Sequence, residues 1–168
     1  MRNEAPLRST IKKLSIIVAI ALFVVLAGAL PVAAEEPTTW YVSTTGTDND
    51  ECGASGTPCN TIQFAVDKAA AGDTIQVEQG TYSGNVLINK PLTLLSTDGR
   101  EATTIEGVDS GALGAVVVTP DVNNVQIGGV GDGFTIVGID GPPGIERAAV
   151  YLQGNHSNIV IKGNDIRA

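Results

Sequence analysis

Val125-Gln126-Ile127 and Ile159-Val160-Ile161 are one short apolar segment written twice, 34 positions apart. Working outward, Ala115-Val116-Val117-Val118 returns as Ala148-Ala149-Val150-Tyr151 after 33 positions. Thr104-Ile105-Glu106-Gly107 returns as Thr135-Ile136-Val137-Gly138 after 31. Three strand-like segments per repeat, each closed by Gly, Asn or Asp, describe one turn of a coil of parallel strands. Strands of three or four residues do not build a sandwich easily. Repeated at one spacing, each can lie above its counterpart at about 4.8 Å. The inward positions then form columns: Leu92, Val125 and Ile159; Leu94, Ile127 and Ile161; Phe134 with Ile136 over Thr103 with Ile105.

Upstream, Thr74-Ile75-Gln76-Val77-Glu78 alternates strictly, so Ile75 and Val77 point inward. Val86-Leu87-Ile88 and Leu92-Thr93-Leu94-Leu95 follow as further strands, and Trp40-Tyr41-Val42-Ser43 precedes as the first. Between them the apolar period is 3.6. Ile62, Ala65, Val66, Ala69 and Ala70 predict a helix over Thr61 to Ala71, with Asn60 as cap, Gln63 completing a capping box and Gly72 as stop. A first coil exposes bare backbone and an open apolar end, and an amphipathic helix laid across it would cover both.

The first 34 residues read as an export signal. Arg2, Arg8, Lys12 and Lys13 precede the apolar stretch Leu14 to Leu30, and Pro31-Val32-Ala33-Ala34 offers small residues for cleavage after Ala34. An uncleaved membrane anchor is the alternative, because the stretch is near the lower limit of a spanning length. Either way the remainder is expected outside the cytoplasm, secreted or at the cell surface. The chain has 10 basic and 18 acidic residues; without the signal, 6 and 17 remain, a net of −11. That balance argues against nucleic acid and against anionic membrane as partners, leaving the membrane only to the signal or anchor. It also leaves room for divalent cations such as Ca2+.

Cys52 and Cys59 are the only cysteines. Export favours a disulfide between them, whereas zinc would need two further ligands. The resulting organisation is a signal peptide at 1–34, an N-terminal strand, disulfide loop and helix at 35–72, and coils at 73–168. The chain reaches Ala168 just as a new strand begins, so the reading frame is expected to continue.

Three stretches carry a resemblance: Pro58-Cys59-Asn60-Thr61-Ile62-Gln63-Phe64-Ala65-Val66, Ala71-Gly72-Asp73-Thr74-Ile75-Gln76-Val77 and Gly80-Thr81-Tyr82. Together they resemble the start of a right-handed parallel β-helix of the pectin-lyase-like class. The resemblance implies an all-β, single-stranded solenoid with an N-terminal capping α-helix. The class holds polysaccharide lyases, glycoside hydrolases, epimerases and adhesins, so fold does not supply function. Pectate-lyase-like members use an arginine base with calcium on acidic side chains, and polygalacturonase-like members use clustered aspartates. Neither motif occurs here, so no catalytic residue is assigned.

Several residues remain candidates for contacts. Asp98, Asp132 and Asp165 each follow a strand of one column by six or seven residues, and stacked carboxylates with hard oxygens suit calcium. Asp98-Gly99 and Asp132-Gly133 are also ordinary turn dipeptides. The interruption from Gly138 to Arg147 is the longest between strands. Its Asp140, Glu146 and Arg147 could meet a sugar or uronate, or simply face water. Asn124 and Asn158 are in register and could pass hydrogen bonds between turns, and His156 reads as a turn residue without an obvious partner. The expected function is a structural, adhesive or carbohydrate-interacting surface protein, with polysaccharide or cell-surface glycan as partner. The alternative is the N-terminal part of an enzyme acting on acidic polysaccharide.

Overall fold

A computed structural model describes residues 36–139 and 147–167. The expected signal, Asp140 and Glu146 lie outside the described residues. The chain runs through β1 (Thr39–Val42), helix α1 (Ile62–Lys68), β2 (Thr74–Val77), β3 (Gly80–Ser83), β4 (Val86–Ile88) and β5 (Leu92–Ser96). It continues through β6 (Thr103–Glu106), β7 (Gly114–Val118), β8 (Val125–Ile127), β9 (Thr135–Val137), β10 (Ala148–Leu152), β11 (Ile159–Ile161) and β12 (Asp165–Arg167). From β2 on, successive strands belong to three different sheets, ordered β1-β2-β5-β8-β11, β3-β6-β9-β12 and β4-β7-β10. Every named pair is parallel. Pairing each strand with one 19 to 35 residues away, in three sheets, makes a solenoid of about four turns.

The expected columns are present. Leu92 lies beside Val125 and Val125 beside Ile159; Leu94, Ile127 and Ile161 form the next column. In the second sheet Tyr82, Ile105, Ile136 and Ile166 stack in register. Ile75, Ile88, Leu94, Ile105, Ile127, Phe134 and Ile136 are completely buried. Each such side chain contributes roughly 1.5–3 kcal/mol of hydrophobic stabilisation. Alternation is what makes this possible: β2 and β5 bury every second residue, as period-2 geometry requires.

Two local expectations are corrected. The repeat between the β7 and β10 segments is 34 rather than 33, because Val150 pairs with Val116 and Tyr151 with Val117. A slip of one residue would turn the inward column outward. The helix is also shorter than expected, Ile62–Lys68, and its cap is Thr61, whose hydroxyl accepts the Phe64 N–H at 3.3 Å. Asn60 lies one residue before the cap and its carboxamide turns away to donate to the Thr44 carbonyl; its N–H, which a capping box would use, is taken by Asp48 Oδ1 at 2.7 Å. Gln63 does not reach back to the helix start: its Oε1 accepts the Leu87 N–H of β4, and its Nε2 donates to Asp67 Oδ1 one turn further on at 2.8 Å. The helix ends where Ala69 becomes extended, and Lys90 Nζ donates to the Val66 and Ala69 carbonyls at 2.9 Å, satisfying acceptors that a helix end leaves open.

Candidate functional site

The corner between the first two sheets comes nearest to a site. In successive turns it is formed by residues 98–101, 130–133 and 163. Ser96, fully buried, ties two turns together: its hydroxyl donates to the Gly133 carbonyl at 2.6 Å and accepts the Gly99 N–H at 2.9 Å. The turns approach so closely that only glycine fits. A Cβ on Gly133 would stand 2.1 Å from the Gly163 carbonyl oxygen, and one on Gly163, at φ +71°, would stand 1.8 Å from that of Gly129. The result is a groove of about 450 Å³ that crosses three turns, with Asp98, Arg100, Glu101 and the exposed Val130 along it.

The three aspartates sit at this corner differently. Asp98 lines the groove and accepts from the Gln79 N–H at 3.2 Å and the Thr97 hydroxyl at 2.5 Å. Asp132 is exposed, and its carbonyl accepts the Ser96 N–H at 3.0 Å. Asp165 is inside β12, opposite Thr135, and so leaves the column expected of it. It pairs with Arg167, whose hydrogen bond, against an opposing desolvation and with the help of the Arg167 and Arg100 charges, holds its carboxyl below the ordinary range. The carboxylates do not converge into a ligand set. Among the described residues the one group of three potential ligand atoms is Asp48, Cys52 and Cys59. Its thiols form a disulfide, with Cα atoms 4.9 Å apart. Its carboxylate is occupied by the Asn60 and Thr61 N–H groups and the Thr61 hydroxyl.

Arg147 is placed against Asp109, one turn back, with only 8% of its side chain exposed. Its hydrogen bond and charge, in that order, depress the Asp109 carboxyl. The guanidinium therefore ties the start of β10 to the segment between β6 and β7. His156 does have a partner: Nδ1 lies 2.7 Å from the Val122 carbonyl. Asn158 Nδ2 donates to Asn124 Oδ1 at 2.8 Å, the link between turns expected from their register, and both residues have positive φ.

The residues that sequence reasoning missed lie around the first turn. Asp73 is 4% exposed. Its Oδ1 accepts the Thr38 N–H at 2.8 Å, and its Oδ2 accepts the Ala70 N–H at 2.8 Å and the Trp40 indole N–H at 2.9 Å. Burial pushes this carboxyl up, but the three hydrogen bonds and the Lys90 charge outweigh it and hold the group below its ordinary range. Tyr82 is pushed up to about 12, by burial first and by the Glu78 charge second. A buried acid just after a helix stop is a weak sequence signal, because Gly72-Asp73 reads equally well as a turn.

No family model matches the chain. It is similar to the uncharacterized protein YwoF of Bacillus subtilis (strain 168), at 30% identity over 138 residues. That match covers 76% of this chain and 28% of the relative, so the chain spans little more than a quarter of the relative's length. No helix among the described residues is long and apolar enough to cross a membrane.

Proposed function

We propose that this chain is an exported, extracytoplasmic β-helix of the pectin-lyase-like class, right-handed and capped at its amino end by α1. It acts as a rigid, non-catalytic scaffold that contacts polysaccharide along the groove at Asp98, Arg100 and Glu101. The observation that carries this reading is the groove's course across three successive turns. A linear polymer laid along the stack would meet equivalent backbone corners at each rung, with Arg100 and the two carboxylates as orienting groups. The Cys52–Cys59 disulfide supports the extracytoplasmic location, where such bonds persist.

The test is titration of the secreted protein with neutral and uronate oligosaccharides, with and without Ca2+. Binding that Arg100→Ala abolishes supports the reading; no binding to any of them sinks it. Export is checked by the mature N-terminus, expected at Glu35. A second reading, an enzyme acting on acidic polysaccharide, is favoured by Arg100 standing within electrostatic reach of Asp165. Release of unsaturated products from polygalacturonate, followed by ultraviolet absorbance, would replace the scaffold with the enzyme.

A further inference from the structure

At the amino end of the solenoid three strands lie outermost, one in each sheet, and the chain closes two of them itself. The outer edge of β1 is paired by the disulfide loop. Tyr41 N–H donates to the Gly53 carbonyl, Cys59 N–H to the Tyr41 carbonyl and Ser43 N–H to the Cys59 carbonyl, each at 2.9 Å. The outer edge of β4 is met by a side chain that imitates a peptide. Gln63 Oε1 accepts the Leu87 N–H at 2.6 Å, while its Nε2 is shared between Asp67 Oδ1 at 2.8 Å and, more distantly, the Leu87 carbonyl at 3.4 Å.

The third edge, β3, is different. Gly80 N–H donates to the Ala102 carbonyl and Gly84 N–H to the Glu106 carbonyl, both on the β6 side. In a parallel ladder alternate residues face opposite sides, so the N–H and C=O groups of Thr81 and Ser83 face away from β6. No described hydrogen bond reaches those two N–H groups. They open instead onto a cleft of about 370 Å³ between β3 and the start of α1. The cleft exists because the chain, on leaving β1 at Val42, departs into the disulfide loop instead of laying a rung over β3. Its lining contains no charged residue: amides from Asn60, Gln63 and Asn85 and hydroxyls from Thr44, Thr61 and Thr81 surround it.

We infer that this cleft is a strand-accepting site, in which an uncharged extended peptide segment pairs in parallel with β3 and fills the rung the chain omits. The spacing of the open backbone groups selects a peptide. The residue facing Tyr82 would donate its N–H to the Thr81 carbonyl and accept the Ser83 N–H, as a further ladder step. Its side chain would continue the column of Tyr82, Ile105, Ile136 and Ile166. The Tyr82 ring already fills much of that end, which limits the facing side chain to a small one such as valine. Neutral lining excludes strongly charged segments, whose desolvation nothing here would offset. The inference is independent of glycan binding, which uses another corner of the coil.

The probe is a blocked pentapeptide, acetyl-Ser-Thr-Val-Thr-Ser-amide, titrated to millimolar concentration into the isotope-labelled full chain and followed by NMR. In the free protein the Thr81 and Ser83 amides should exchange rapidly and those of Tyr82 and Gly84 slowly. On titration the shifts should centre on Thr81 and Ser83, both becoming protected, with little dependence on salt. N-methylation of the central valine amide should weaken binding at least about tenfold, the loss of a donor at a paired edge. Methylating its two neighbours, whose N–H groups point away, should not. Ser83→Pro should abolish binding while leaving the β6 ladder protected; if that variant unfolds, the two methylated peptides decide. The inference is overturned by an absence of shifts at Thr81 and Ser83, by equal binding of the centrally methylated peptide, or by a neutral trisaccharide that shifts these amides when the peptide does not.

Discussion

Replacing Asp73 with alanine should be among the most damaging single changes at the start of the coil, and the structure gives its size. Three N–H donors converge on the carboxylate: Thr38 on Oδ1, and Ala70 and Trp40 on Oδ2. Hydrogen bonds to a charged group are worth roughly 1.5–3 kcal/mol each, so simple addition would give about 4.5–9 kcal/mol. That sum is too high, because Thr38 and Ala70 are exposed and their N–H groups recover water. What remains is the half-buried indole and the charge-assisted part of the other two bonds, about 3 kcal/mol. For a domain of this size that lowers Tm by on the order of 10 °C. Asp73→Asn should cost less, about 1 kcal/mol, because one rotamer keeps a carbonyl oxygen toward Trp40 and Ala70 and leaves only the exposed Thr38 N–H facing an amide. Trp40 is the sole tryptophan, so urea unfolding followed by its emission reads the perturbed site directly, with far-UV circular dichroism reading the whole coil. The pH dependence separates charge from shape. The folded Asp73 pKa lies below its unfolded value of about 3.9, so its contribution is complete above that value and is lost as pH falls through the folded pKa. The stability difference between wild type and Asp73→Asn should therefore shrink in acid. An alanine variant within 0.5 kcal/mol of wild type (roughly the noise of a surface substitution) would refute the reasoning.

Gln63→Ala should destabilise by about 1 kcal/mol and speed exchange of the Leu87 amide, with no effect on β8 or β11; unchanged exchange at Leu87 would remove Gln63 from the β4 edge. Gly163→Ala combines a left-handed backbone with a Cβ 1.8 Å from the Gly129 carbonyl oxygen. In a solenoid whose turns contact only their neighbours, it should unravel β11 and β12 while β1 to β5 keep their exchange protection. Reducing Cys52–Cys59, separated by 7 positions, should cost on the order of 2 kcal/mol on the loop-entropy model; chemical denaturation with and without reductant measures it.

Much of the coil was legible in the sequence because solenoid cores are repetitive. Val125 and Ile159 occupy the same inward position, and one repeated period reports a contact that is distant along the chain. Register was the weak point, since Ala148-Ala149 offers two equally good alignments with Ala115. Only the stacking of Val150 on Val116 decides between them. The candidate site was less legible. Asp165 looked equivalent to Asp98 and Asp132 by counting from the strands, yet the turns between those strands differ in length, and β12 begins where the earlier turns are still bending. Gln63 fits a capping box by spacing, but Asp48, twelve residues before Asn60, already satisfies the helix start. Such long-range side-chain bonds leave no periodic trace.

The three outer edges at the amino end show why that trace is missing. An open strand edge invites pairing with other chains, and proteins blunt it by whatever means lies nearest. Here β1 is covered by a loop held by a disulfide, and β4 is met by one carboxamide. Neither device repeats, because each edge occurs only once in the coil, whereas every interior rung must satisfy the same two neighbours. Repetition therefore encodes the interior and cannot encode the end. The omitted rung over β3 follows from the same economy of chain. The loop between β1 and α1 pairs with β1 and returns without laying a strand on β3, and so the coil keeps one ladder position unfilled.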